Sequence, residues 1–384
     1  MKLVLFIIII INILLFLFIK NKYIQTIKYG LPILLIIFNI LLFFFVQRYI
    51  QTIKYGLPIK KETFFNLVDK LNIPKFYNYY NPSPFVYNNK VYSTHRVHYG
   101  SYYSVTRTIR EIIAEKKFPS YIAITTQDNN VINVKIPFVM NISTFKKYTR
   151  NKKYKFIGYE DARPFIIKDN LYLLVNTFVN STKYCQHCLI KIDSKKLDNN
   201  PSEITYDDLI LINPSFNERC HQKNWMPLIK DDKLYLFYGL NPLEIYECNI
   251  DNGAVKLVHK ESYNSVPKNL RGGSHVLEYY SKMFSKNVYV CIVHTRRKYY
   301  YTHSFVIIDY PFKILALSGE FIIKDDYIRF IEYSKLIHIV NIQFVSGLLI
   351  DKDKMIVYYG EKDCISNKFE IDIDVMEKSL VKII

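Results

Sequence analysis

The sequence predicts an all-β protein: a five-bladed β-propeller preceded by one or two N-terminal transmembrane helices. Three observations predict it. A single hairpin frame recurs along the chain. Strands rich in Tyr, Ile, Val and Phe, bounded by Asn, Asp and Lys turns, run from about residue 79 to the end of the 384-residue chain. Two long apolar runs stand ahead of those strands.

The frame is clearest in three places. It reads Pro84-Phe85-Val86-Tyr87-Asn88-Asn89-Lys90-Val91-Tyr92, then Pro164-Phe165-Ile166-Ile167-Lys168-Asp169-Asn170-Leu171-Tyr172, then Pro227-Leu228-Ile229-Lys230-Asp231-Asp232-Lys233-Leu234-Tyr235. Each time a Tyr lies eight residues after a Pro, with a polar turn between two apolar stretches. That is a β-hairpin signature. Two looser copies follow. One leads from Arg271-Gly272-Gly273-Ser274 to Val288-Tyr289-Val290, the other from Phe344-Val345-Ser346-Gly347 through Asp351-Lys352-Asp353 to Met355-Ile356-Val357. Antiparallel units repeated about every 60 residues indicate a propeller rather than a sandwich of unrelated hairpins.

The apolar runs cover residues 3–19 and 31–46 and have no polar face, so neither reads as a soluble amphipathic helix. They are copies of each other: Tyr23-Ile24-Gln25-Thr26-Ile27-Lys28-Tyr29-Gly30 returns as Tyr49-Ile50-Gln51-Thr52-Ile53-Lys54-Tyr55-Gly56. The expectation is a duplicated membrane anchor over residues 1–59, with basic residues on every flank leaving the side of the large domain open. Residues 60–78 read as a linker with a short helix at 62–71. A second helix is expected at 105–117, and 79–384 is the propeller.

The formal net charge is +18, from 52 Lys and Arg against 34 Asp and Glu. The basic residues are scattered, with no basic tail and no nucleic-acid module, so nucleic acid is not an expected partner. An anionic substrate and an anionic membrane surface are the charge-compatible ones. The six cysteines are too sparse for a disulfide scaffold. Cys185 and Cys188, with Cys220 and His221, invite a zinc reading, but the second pair does not repeat the first; free thiols, no metal and no cofactor are expected.

The residues just before each repeat Pro differ from the apolar strands behind them. They are Asn81, then Glu160, Asp161 and Arg163, then Lys223 and Asn224; Arg271 precedes the Gly pair of the fourth unit. Equivalent positions in a propeller surround one axis, so these side chains are expected to converge. His294, with Tyr301 or His303, would close the pocket. Trp225, the only tryptophan, reads as a core aromatic in preference to a sugar-stacking platform.

Gly158-Tyr159-Glu160-Asp161-Ala162-Arg163 resembles the Glu-Asp-Pro-Arg motif of five-bladed propeller carbohydrate enzymes, the mannoside phosphorylases and related glycosyltransferase-like proteins. Lys223-Asn224-Trp225-Met226-Pro227, Leu270-Arg271-Gly272-Gly273-Ser274, Val293-His294-Thr295 and Tyr359-Gly360-Glu361-Lys362-Asp363-Cys364 resemble its later elements, in order. Ala162 stands where that motif has Pro. The resemblance implies a carbohydrate substrate, mannosides foremost, with phosphate or a nucleotide sugar as co-substrate. It implies Asp161 as the acid/base and leaves hydrolysis, phosphorolysis and transfer open.

Residue chemistry narrows this. Hydrolysis needs a second carboxylate about 6.5–9.5 Å away for inversion. Strand alternation turns Glu160 away from Asp161, and Asp363 is the other candidate. Arg163, Lys223, Arg271 and His294 are suited to phosphate. One acid among several cations favours transfer to or from phosphate. The alternative is a glycan-binding or structural propeller that does no chemistry.

Overall fold

The computed structural model describes residues 65–66, 77–99, 120–126, 131–135, 156–179, 185–198, 203–205, 208–212, 223–297, 301–323, 342–361, 363 and 365–383. All lie in the second of two compact units, 1–56 and 57–384. Among them are five sheets, the blades, antiparallel apart from one added edge strand.

The first strand, β1 (Phe65–Asn66), belongs to the last blade. Blade one is β2 (Tyr77–Tyr87), β3 (Lys90–Tyr99), β4 (Tyr121–Thr126) and β5 (Val131–Lys135). Blade two opens with β6 (Phe156–Ile167), β7 (Asn170–Val179) and β8 (Cys185–Ile192). The chain then makes the short α1 (Lys195–Asp198) and crosses back as β9 (Glu203–Thr205), which adds in parallel to the edge of blade one. It returns to finish blade two as β10 (Asp208–Leu211). Blade three is β11 (Met226–Lys230), β12 (Lys233–Leu240), β13 (Leu243–Cys248) and β14 (Val255–Glu261). In blade four, β15 (Leu270–Gly272) and β16 (Leu277–Ser281) both pair with β17 (Lys286–Arg296), followed by β18 (Tyr301–Asp309) and β19 (Lys313–Ser318). Blade five is β20 (Gln343–Asp351), β21 (Lys354–Glu361) and β22 (Ile365–Asp372), with β1 outermost. After α2 (Ile373–Lys378), β23 (Leu380–Lys382) becomes the outer strand of blade four.

The repeated frame has a physical cause. Its turns, Asn88-Asn89, Lys168-Asp169 and Asp231-Asp232, hold both central residues at φ between 47° and 61°. Two such residues in succession match the twist of the flanking strands, and Asn and Asp tolerate that conformation. The tight turn fixes the register, so the residue after Pro faces the Tyr: Phe85 opposite Tyr92, Phe165 opposite Tyr172, Leu228 opposite Tyr235. The first two pairs stack, with ring centroids 5.2 and 5.5 Å apart.

The core lies in the seams between blades. Ile122, Leu173 and Ile190 fill one seam, Leu174, Leu189 and Leu236 the next. Ile245, Val293 and Ile308 fill a third, and Ile292, Phe305 and Val357 a fourth. Each such side chain contributes about 1.5–3 kcal/mol on burial. The strands β2, β20, β21 and β22 pack together, which joins blade five to blade one.

Two expectations change here. The membrane localisation is corrected: no helix among the described residues is long and apolar enough to cross a membrane. The longer of the two described helices, Ile373–Lys378, has 6 residues, about 9 Å at ~1.5 Å per residue, against a hydrocarbon core of about 30 Å. The runs 3–19 and 31–46 lie outside the described residues. Of the helix expected at 62–71, Phe65–Asn66 instead form a strand that pairs with Lys368 and Asn367, and the other positions lie outside the described residues. The helix expected at 105–117 lies outside the described residues.

Candidate active site

In each of the first three units the residue three before the repeat Pro has a left-handed backbone: Asn81 at φ 51°, Asp161 at 51° and Asn224 at 66°. In blades one and two the pairing register shifts around that residue, between Tyr80 and Ser83 and between Glu160 and Arg163. These are β-bulges, and a bulge re-aims the side chains beside it. The bulge overturns the expectation that Glu160 and Asp161 face opposite ways. Both carboxylates enter one cluster.

Arg96, on β3, donates from Nη2 to Glu160 Oε1 at 2.6 Å, and its Nη1 lies 3.7 Å from Asp161 Oδ1. Lys223 Nζ donates to Glu160 Oε2 at 2.8 Å and lies 3.7 Å from Asp161 Oδ2. Asn81 Nδ2 donates to Asp161 Oδ1 at 2.7 Å. Two carboxylates from blade two are thus gripped by a guanidinium from blade one and an ammonium from the entry to blade three. Arg96 also lies 5.3 Å over the Tyr80 ring.

The electrostatics follow from these contacts. Burial pushes the Glu160 carboxyl up, but Arg96 and Lys223 outweigh it and hold the group below the usual range. Asp161 behaves alike: burial raises it, and Lys223, Arg96 and the Asn81 hydrogen bond more than offset that. Both are ionised at neutral pH. Burial lowers Lys223, but the two carboxylates raise it further, so it keeps its proton. Its side chain is 37% exposed, and water screens part of this attraction.

The other blades reach the same cluster. Asp363, after β21, is pushed up to about 6 by burial, with Arg96 and Lys223 opposing and Asp161 and Glu160 adding. Tyr301, on β18, is raised by burial and senses Asp363, Lys223 and Asp161. Tyr80, wholly buried, senses Arg96, Asp363, Asp161 and Glu160. Arg96 of blade one, Glu160 and Asp161 of blade two and Lys223 at the entry to blade three therefore meet, and Tyr301 of blade four and Asp363 of blade five feel their charges.

The remaining candidate residues sit at varying distances from that point. Arg163 is fully buried, and its Nε and Nη2 donate to the Gly273 carbonyl at 3.0 and 2.7 Å. It ties blade two to blade four, and burial lowers it to about 10. Asn224 is 8% exposed, with Oδ1 unpartnered. Its carbonyl lies 2.0 Å from where a Cβ on Gly272 would be, so the Gly pair exists for backbone approach between blades. Arg271 is exposed and pairs across the sheet with His294. His294 is buried, stacked on Tyr301 at 4.8 Å, and kept neutral by burial together with His303, Arg271 and Arg163. His303 is buried directly opposite His294, on β18.

Trp225 is 1% exposed, packed against His187, Tyr238 and Tyr246, and forms no platform. Cys185 and Cys188 are buried thiols raised by burial, the first to about 12; Cys220 and His221 lie outside the described residues. Sequence reasoning missed Arg96 and Tyr80. A lone Arg inside the otherwise uncharged strand Tyr92-Ser93-Thr94-His95-Arg96-Val97 was the available signal, because an unpaired guanidinium is rarely buried.

No protein-family model matches the sequence, and no curated protein matches it. Solved structures do. One is from the GH130 family of mannoside phosphorylases, described as containing glycoside hydrolases that target β-1,2 mannosidic linkages in Candida mannan. It has 14% identity and a TM-score of 0.51, covering 84% of this chain and 97% of that one. Another is the β-1,2-mannobiose phosphorylase of Listeria innocua, with 15% identity, a TM-score of 0.49, and 82% and 96% coverage. A third is MPT-4, a mannose phosphorylase of Leishmania mexicana in complex with phosphate ion, with 14% identity, a TM-score of 0.47, and 82% and 89% coverage. The likeness to the first is one of fold: the five-bladed arrangement of the mannoside phosphorylases, which the motifs pointed to.

Proposed function

We propose that this chain is a carbohydrate-active enzyme that transfers glycosyl groups of mannosides, by phosphorolysis or its reverse, with Asp161 as the acid/base. The observation that carries the reading is the meeting of buried Glu160 and Asp161 with Arg96 and the half-exposed Lys223, brought together from the first three blades.

Each group has a use in that chemistry. Asp161 is ionised and held by Asn81, which suits a base that takes the proton of an acceptor hydroxyl when a glycosidic bond forms. In cleavage the same carboxyl returns the proton to the departing oxygen. Glu160 is committed to two cations and serves to position them. Lys223 and Arg271, the exposed cations, are the ones able to meet a phosphate group; neutral His294 beside Arg271 can donate or accept one hydrogen bond. Arg163 is committed to the Gly273 carbonyl and fixes blade two against blade four. Asn224 and Tyr80 offer unpartnered polar atoms to sugar hydroxyls.

The test incubates the full chain with β-mannosides plus inorganic phosphate, and with mannose 1-phosphate or nucleotide sugars plus acceptor sugars. Release of a sugar phosphate, or a new disaccharide, is the expected product. Asp161→Asn should lower turnover about 10²–10⁴-fold in a chain that still folds. No product from any donor, with sugar binding that survives Asp161→Asn, would leave a glycan-binding propeller in its place.

A further inference from the structure

The segment that carries Asn81 is held on both sides by the last blade. Asn81 lies in the bulge of β2, with a left-handed backbone and its amide on Asp161 Oδ1. A bulge takes carbonyls off the ladder, and buried carbonyls then need other donors. Ser366 Oγ, on β22, donates to the Tyr79 carbonyl at 3.0 Å. Ser346 Oγ, on β20, donates to the Pro82 carbonyl at 2.6 Å. The two anchors bracket Tyr80, Asn81 and Pro82. Ser346 is itself the extra residue of a bulge, since the register of β20 with β21 shifts between Val345 and Gly347. Blade five also makes room for the segment. A Cβ on Gly347 would strike Pro84 and Ser83, and one on Gly360 would strike Asn81.

Hydrogen counting orients one anchor. A hydroxyl has a single hydrogen, and Ser366 directs its own at Tyr79. At 2.8 Å from His95 Nδ1 it therefore accepts, so Nδ1 carries the proton of that ring. His95 Nε2 then accepts from Thr125 Oγ1, also at 2.8 Å. His95 and Ser366 are fully buried, and burial lowers the imidazole to about 3, which keeps it neutral. The relay runs one way, from Thr125 through His95 and Ser366 to the backbone of β2.

We propose that Ser346 and Ser366 are positioning residues for Asp161: from blade five they fix the bulge of blade one, and the bulge aims the Asn81 amide at the carboxylate. An Asn backbone at φ 51° is held against its usual preference, and two hydrogen bonds on the flanking carbonyls supply the hold. The proposal rests on the enzyme reading only for its use in turnover. The geometry it claims is read on the resting chain.

The experiment follows the Asp161 carboxyl carbon by NMR in the full chain labelled at aspartate, the signal being assigned by its loss in Asp161→Asn. The charges that face this carboxyl are Arg96 from β3, Lys223 ahead of β11, and Glu160 and Arg163 beside it on β6; none is altered. Asn81→Ala removes the hydrogen bond that helps hold Asp161 down, so its titration should move upward. Ser346→Ala and Ser366→Ala should move it the same way and lower the melting temperature by roughly 2–6 °C. Ser346→Cys and Ser366→Cys, which keep a weak donor, should give smaller shifts and serve where an alanine variant does not fold. Ser281→Ala removes a buried hydroxyl of blade four that donates to Glu377, and should lower the melting temperature while leaving Asp161 unmoved. An Asp161 titration unchanged in the serine variants overturns the proposal, as does an equal shift in Ser281→Ala. Turnover is scored separately. If Asp161 is the acid/base, kcat of the serine variants falls by up to about 10²-fold with KM little changed. A shifted carboxyl in a chain that turns over no sugar would leave the positioning intact and remove the enzyme reading alone.

Discussion

Replacing Arg96 with Met tests the charge cluster most sharply. Arg96 is 8% exposed, and its guanidinium touches Glu160 at 2.6 Å and lies 3.7 Å from Asp161. Unit charges ~4 Å apart attract by about 4 kcal/mol at an effective dielectric of ~20, and the desolvation of Arg96 offsets part of this in the intact protein. Removing one partner leaves the carboxylates buried with Lys223 alone, a situation that typically costs about 3–5 kcal/mol. For a unit of this size that is a fall of roughly 4–10 °C in melting temperature. The pH dependence carries the sign. In the wild type Glu160 and Asp161 are depressed, so their contribution is present above the unfolded values and is lost as pH falls below about 4. In Arg96→Met both carboxyls titrate higher, so the deficit should be largest near pH 7.5 and shrink toward pH 5. Adding Glu160→Gln should recover part of the loss, because Asp161 and Lys223 then balance. Urea unfolding at the two pH values measures all three chains. A deficit under about 1 kcal/mol, or one equal at both pH values, refutes the reasoning.

Two further substitutions probe the scaffold around the cluster. A Cβ on Gly360 would lie 1.9 Å from Asn81 Oδ1 and 2.7 Å from Asn81 N. Gly360→Ala should cost about 1–3 kcal/mol in urea unfolding and, by moving the Asn81 amide off Asp161, raise the acid limb of any pH–activity profile. Trp225→Ala empties a buried inter-blade space and should cost about 3–5 kcal/mol, with sugar affinity of the folded fraction unchanged in calorimetry. A stacking platform would give the opposite pattern, small in stability and large in affinity.

The architecture was legible because its signal is local. A two-residue turn of Asn or Asp fixes the hairpin register, and that register makes Phe85 meet Tyr92 and Phe165 meet Tyr172. Spacing along the chain therefore reports packing directly. The meeting of Asn81, Asp161 and Lys223 was legible for the same reason, since equal offsets in a repeat become neighbours around an axis. Other features were not. Strand periodicity said that Glu160 and Asp161 diverge, and a single bulge reversed it. Arg96 lies on the second strand of its hairpin, where no motif marks it, and its role depends on a carboxylate 64 residues away. The edges were hidden as well: β9 crossing to blade one, β23 to blade four and β1 to blade five are pairings between distant segments that carry no turn between them.

The seating of β1 has a practical bearing on where the chain can be trimmed. Phe65 and Asn66 are hydrogen-bonded along Lys368 and Asn367, and Asn367 in turn holds Glu361, two positions from Asp363. The ring is fastened by its own first stitch, and the fastening lies a few residues along the chain from Asp363. A shortened protein that begins after Asn66 leaves that hem open and slackens the loop carrying Asp363; one that begins ahead of Phe65 keeps both intact.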